Sequence, residues 1–158
     1  MKKNPSATVR SINELVSLDS TVIQIIVDNG VSAPSFSVLN LTRFSKLESL
    51  EIGDHCFTFV DEFKMIGMSE LESVEIGMNC FTKKKNDGGD DPDRHFYLKN
   101  CPKLKSLKMG HHSFSDYTVC EIESVDALEV IEIGDLNEES YNFDYASLEL
   151  KSILIQSE

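Results

Sequence analysis

The sequence predicts a β-rich solenoid, a stack of short coils that share one apolar interior. Three observations carry this. One apolar motif recurs six times along the 158 residues, and a second motif recurs between its copies. Within each motif the apolar residues are two apart, the period of a strand with one buried face.

The first motif reads Leu47-x-x-Leu50-x-Ile52-Gly53, Leu71-x-x-Val74-x-Ile76-Gly77, Leu104-x-x-Leu107-x-Met109-Gly110 and Leu128-x-x-Ile131-x-Ile133-Gly134. Weaker copies flank these, Val22-x-x-Ile25-x-Val27 and Leu150-x-x-Ile153-x-Ile155. Their first residues are separated by 25, 24, 33, 24 and 22 positions, so one period of about 24 holds throughout except across a single insertion. The second motif reads Phe36-x-x-Leu39-x-Leu41, Val60-x-x-Phe63-x-Met65, Phe96-x-Leu98 and Tyr117-x-x-Cys120-x-Ile122. Apolar residues three and six positions further on, such as Met68 with Leu71 and Val125 with Leu128, lead each copy into the next strand.

The glycine ending each first strand suits a bend that needs a positive φ. The segment Gly-x-x-Cys-Phe follows at Cys56-Phe57 and Cys80-Phe81, with Ser113-Phe114 as a third copy. Its phenylalanines are expected to stack at one corner. A single coil cannot fold alone, because its few inward side chains do not offset the entropy lost on ordering its backbone, so neighbours must cover its faces. Ser11-Ile-Asn-Glu14 opens a stretch to Leu18 that reads as a short capping helix with a capping-box start. The expected organisation is a disordered or extended segment over residues 1–10, then one domain over 11–158, with a loop insertion at 83–94.

The Leu-x-x-Leu-x-Ile spacing resembles the leucine-rich-repeat family. The Ile-Gly-x-x-Cys-Phe segment is similar to the Ile-Gly-x-x-Ala-Phe core of its BspA-like class. The resemblance covers roughly residues 22–155. It implies a leucine-rich-repeat solenoid with a parallel concave sheet of about six strands and a second set of short parallel strands opposite. It also implies a role in protein recognition, with no catalytic residues to carry over. The family's usual asparagine after the strand is replaced by glycine here, so its asparagine ladder is not transferred.

Composition narrows the function classes. The net charge of −12 disfavours nucleic acid and anionic membrane surfaces, and its natural complement is a basic protein partner. No apolar run reaches the length of a membrane span, and no secretory leader is visible in the first ten residues. The four cysteines form no Cys-x-x-Cys pair, so reduced thiols and a cytoplasmic location are expected, or a surface location if the chain is part of a longer protein. Cys56 and Cys80 fall at the same position of adjacent coils, within reach of a disulfide. Ser113 as the next member favours a column of small buried residues.

Residues between the inward ones should line the exposed sheet face. One column reads Ile26, Glu51, Glu75, Lys108, Glu132 and Leu154, beside another of Gln24, Ser49, Ser73, Ser106, Val130 and Ser152. Glu48, Glu72 and Glu129 add negative charge. Glu51 and Glu75 should lie about 4.8 Å apart, an unfavourable like-charge pair. Six strands give a face of on the order of 360 Å², under half the ~800 Å² that each partner contributes to a standard interface. The basic head of the insertion (Lys83, Lys84, Lys85) and Arg94 at its end are therefore counted as further candidate contacts. Asp87, Asp90, Asp91 and Asp93 do not match the spacing of an EF-hand calcium loop, and a hydrophilic loop is expected.

His55 and His112 are two coils apart with Asn79 between them, too far to share a zinc ion, and His111 and His112 read as exposed corner residues. His95 has no evident chemical partner. Nucleophile-elbow, phosphate-loop, dinucleotide and His-Glu-x-x-His motifs are absent, and no cofactor or enzymatic activity is expected. The expected function is a protein–protein interaction module using the acidic face and the insertion. The alternative is a structural segment of a larger surface or adhesive repeat protein. The Leu150–Ile155 strand would then be an edge for self-association or for continuation of the array.

Overall fold

A computed structural model describes residues 6–83, 94–134 and 142, together with the backbone of 147–151. The described residues form two all-parallel sheets and one short helix. The first sheet has six strands, in the order β1 (Ser6–Val9), β2 (Gln24–Val27), β4 (Ser49–Ile52), β6 (Ser73–Ile76), β8 (Ser106–Met109) and β10 (Val130–Ile133). The second has five, from β3 (Val38–Asn40) through β5 (Glu62–Ile66), β7 (His95–Lys99) and β9 (Val119–Glu123) to β11 (Ser147–Lys151). From β2 onward strands of the two sheets alternate along the chain, so each turn contributes one strand to each sheet, as in a solenoid; between β1 and β2 a short helix takes the place of the second-sheet strand.

Register follows the sequence columns. Ile25, Leu50, Val74, Leu107 and Ile131 are paired in succession. So are Leu39, Phe63, Phe96 and Cys120 in the second sheet. The inward residues of both sheets form one core, which Met68, Leu71, Cys101, Leu104 and Val125 extend through the return loops. Phe81 stacks between Phe57 (centroids 5.3 Å apart) and Phe114 (4.5 Å), giving the expected aromatic column.

Two expectations about the strands change. Ser6–Val9, assigned above to a segment preceding the domain, form the edge strand of the first sheet and pair with β2. Ser147–Lys151 join the second sheet, with Leu148 opposite Cys120 and Leu150 opposite Ile122. The Leu148-x-Leu150 pair thus continues the second motif, and Leu150 does not begin a copy of the first. Ile153, Leu154 and Ile155 lie outside the described residues.

The bend matches expectation at Gly134, whose φ is 76, and differs from it in the three preceding coils. Gly53, Gly77 and Gly110 are needed for close approach between coils, not for a positive φ. A Cβ on Gly77 would lie 2.8 Å from the backbone carbon and oxygen of Gly53, and one on Gly110 2.7 Å from Met78 Cα. Positive φ falls instead on His55, Asn79 and His112, on Phe57, Phe81 and Phe114, and after the second strand on Gly67, Asn100 and Ser124. Each corner therefore holds bulky residues in a left-handed conformation that tertiary packing must sustain.

The capping helix α1 spans Ile12–Val16. The Ser11 hydroxyl accepts the Glu14 N–H at 3.2 Å, and the Glu14 carboxylate accepts the Arg10 N–H at 2.6 Å. Arg43 crosses to the far end of the helix and donates to the Leu15, Val16 and Leu18 carbonyls. Among the described residues, no helix is long and apolar enough to cross a membrane.

Candidate interaction face and the base of the insertion

On the outer side of the first sheet, Ile26, Glu51, Glu75, Lys108 and Glu132 form one register column. Gln24, Ser49, Ser73, Ser106 and Val130 form the next. A third runs along the strand entrances, where the Glu72 N–H donates to the Glu48 carbonyl, Lys105 to Glu72 and Glu129 to Lys105. The Glu48 and Glu51 columns thus carry the same charge order across four coils: Glu, Glu, Lys, Glu. All eight of these residues are exposed. Lys108 reaches Glu132 at 3.8 Å, whereas Glu51 and Glu75 have no ion pair among the described residues. A shallow open groove of about 580 Å³ lies at the glycine end of this face, lined by Asp28, Glu51, Asp54 and Glu75 among others.

The corner below that groove is held by side chains acting between coils. Asn29 Oδ1 accepts the Asp54 N–H at 2.7 Å, and Asp54 Oδ1 accepts the Met78 N–H at 3.0 Å. Further in, Cys56 Sγ donates to the Asp28 carbonyl, Cys80 Sγ to Gly53 and Ser113 Oγ to Gly77. The two thiols and the hydroxyl make equivalent bonds, and all four cysteines are free and buried. Contact with the Cys56 thiol, and then burial, push the Cys80 thiol up. Burial and the charge of Glu121 push Cys120 up to about 12.

The insertion departs from the sequence reading. Arg94, counted there as a partner contact, is fully buried. Its guanidinium bonds Asp116 Oδ2 at 2.6 Å and the Thr58 and Val60 carbonyls at 2.8 Å each, and it lies 3.2 Å from Asp61 Oδ1. It also lies 4.9 Å from the Tyr117 ring centroid, and the Tyr117 hydroxyl donates to the Val60 carbonyl. Burial pushes the Tyr117 phenol well above its ordinary value. Asp61 and Asp116, from the neighbouring coils, compensate the guanidinium at that depth.

Lys83 is half-buried. Its N–H donates to Asp116 Oδ2 at 3.1 Å and its ammonium lies 3.9 Å from Asp61. Asp116 and Asp61 thus hold both ends of the insertion. Lys84, Lys85 and the four aspartates lie outside the described residues. His95 Nδ1 contacts the Tyr97 hydroxyl at 2.5 Å, a partner that the sequence did not suggest. His111 and His112 are half-buried, not exposed as expected.

No protein-family model matches the chain, and no curated protein or solved structure matches it at a significant level.

Proposed function

We propose that this chain is a leucine-rich-repeat type interaction module whose first sheet docks a basic segment of a partner protein. The observation that carries the reading is the register that stacks Glu48 on Glu72 and Glu51 on Glu75, all four exposed. Like charges one strand apart repel, so this arrangement costs stability that a basic partner returns on binding. The groove beside Glu51, Glu75, Asp28 and Asp54 gives that partner a concave place to seat a lysine or arginine. The role is binding and not catalysis. Free, buried cysteines favour a reducing compartment.

The test uses a lysine-rich peptide of about 12 residues, with binding followed by fluorescence anisotropy at low and physiological salt. The double variant Glu51→Lys/Glu75→Lys is expected to weaken binding by at least about tenfold, and salt to weaken binding to the parent protein. Equal affinity for parent and variant would remove the reading.

A second reading, in which stacking within a larger repeat protein is itself the function, is favoured by one feature. Val130 and Ile131 on β10 are 39% and 41% exposed, although Ile131 continues the inward column of Leu107. That reading requires the Glu51→Lys/Glu75→Lys variant to leave function unchanged.

A further inference from the structure

The corner of the coil that carries β8 differs from the others in holding two adjacent histidines. The Nδ1 atoms of His111 and His112 are 2.7 Å apart and the rings are nearly perpendicular, at 82°. His112 has φ 65, and the left-handed turn brings its ring back against its neighbour. At this distance one nitrogen donates and the other accepts, so a single proton lies between two lone pairs.

The same lone pairs bind a divalent transition metal, for which neutral imidazole is the commonest protein ligand. With metal–nitrogen bonds of about 2.0–2.1 Å, two ligands at a square-planar angle sit about 2.9 Å apart and two at a tetrahedral angle about 3.3 Å apart. The observed 2.7 Å therefore needs about 0.2 Å of opening for square-planar geometry and about 0.6 Å for tetrahedral.

Asn142 supplies a second observation. Its Nδ2 donates to the Gly110 carbonyl at 2.7 Å and the Ser113 carbonyl at 3.0 Å, the two carbonyls that flank the pair. Its Oδ1 is buried with no hydrogen-bond partner.

We propose that His111 and His112 form a site for a divalent cation that favours square-planar geometry, Ni²⁺ or Cu²⁺, with both Nδ1 atoms as ligands and water completing the shell. On binding, the ring that donates in the free protein moves its proton to Nε2, so both Nδ1 lone pairs face the metal. The described residues contain no group of three His, Cys, Asp or Glu side chains able to hold a metal, so the site is a two-histidine chelate of modest affinity.

Untagged full-length protein is titrated with Ni²⁺ and, separately, with Zn²⁺ by isothermal titration calorimetry, with far-UV circular dichroism confirming that each variant is folded. One Ni²⁺ should bind per chain, more tightly than Zn²⁺. His111→Ala and His112→Asn should each weaken Ni²⁺ binding by about tenfold or more. Asparagine is chosen at 112 because Asn79 already adopts the left-handed conformation at the equivalent corner. His55→Gln should bind as the parent does. No Ni²⁺ binding, unchanged affinity in both His111→Ala and His112→Asn, or Zn²⁺ binding at least as tight as Ni²⁺ would overturn the proposal.

Discussion

Replacing Gly77 by alanine isolates what the bend glycines do. The added Cβ would stand 2.3 Å from Asp54 Oδ1 and 2.8 Å from the Gly53 backbone, both in the preceding coil. Two responses are open. The coils can separate locally, straining the ladder on either side at about 1–3 kcal/mol, as overpacking does. Alternatively Asp54 can turn away, losing its 3.0 Å bond to the Met78 N–H, a charge-assisted bond worth about 1.5–3 kcal/mol. The Gly53 backbone has no comparable escape, so both costs fall due in part and the total should be about 3–5 kcal/mol. Gly67→Ala is the control: its φ is +69 and a Cβ there meets nothing within 4 Å, so only the left-handed penalty of about 1–2 kcal/mol applies. Urea unfolding followed by circular dichroism measures both. If Gly67→Ala cost as much as Gly77→Ala, close approach between coils would not be what the bend glycines provide.

Arg94→Ala leaves the carboxylates of Asp116 and Asp61 without their guanidinium and should cost about 3–5 kcal/mol in the same unfolding assay, where a loss under about 1 kcal/mol would contradict the network. Cys80→Ser should cost less than about 1 kcal/mol, because Ser113 already makes the equivalent bond to Gly77 at 2.7 Å. Glu70 is held below its ordinary value by its hydrogen bond with Lys103 and that residue's charge. Lys103 favours the charged form, so Lys103→Ala should move the Glu70 midpoint upward in an NMR titration, and an unmoved midpoint would show that the pair does not persist in solution.

The stacking was legible because the inward residues of both motifs keep a two-residue step and a common period, so Leu50, Val74 and Leu107 could be aligned without coordinates. β1 was missed because Ser-Ala-Thr-Val has one fully buried residue, Val9, and lacks the leucine spacing of the other strands. Leu150 was placed in the wrong sheet because a leucine fits the opening of the first motif as well as the end of the second. Pairing with β9 decides between them. The left-handed phenylalanines were unreadable, since local preference opposes that conformation and only ring stacking with neighbouring coils sustains it. Of the candidate site, the column holding Glu51 and Glu75 was visible as alternation. Arg94 was misread because it ends a charged run in the sequence, and the carboxylates that enclose it come from other coils. The His111–His112 pair was overlooked for a related reason: neighbours in sequence ordinarily point apart, and the turn at His112 brings them together.

The docking claim is tested most directly by mapping the lysine-rich peptide onto the protein by NMR chemical-shift perturbation. The predicted result is a set of shifted amides along Ser49–Ile52, Ser73–Ile76 and Ser106–Met109, with Glu62–Ile66 and Val119–Glu123 of the opposite sheet unmoved. Shifts centred on the opposite sheet, or scattered over both, would contradict it.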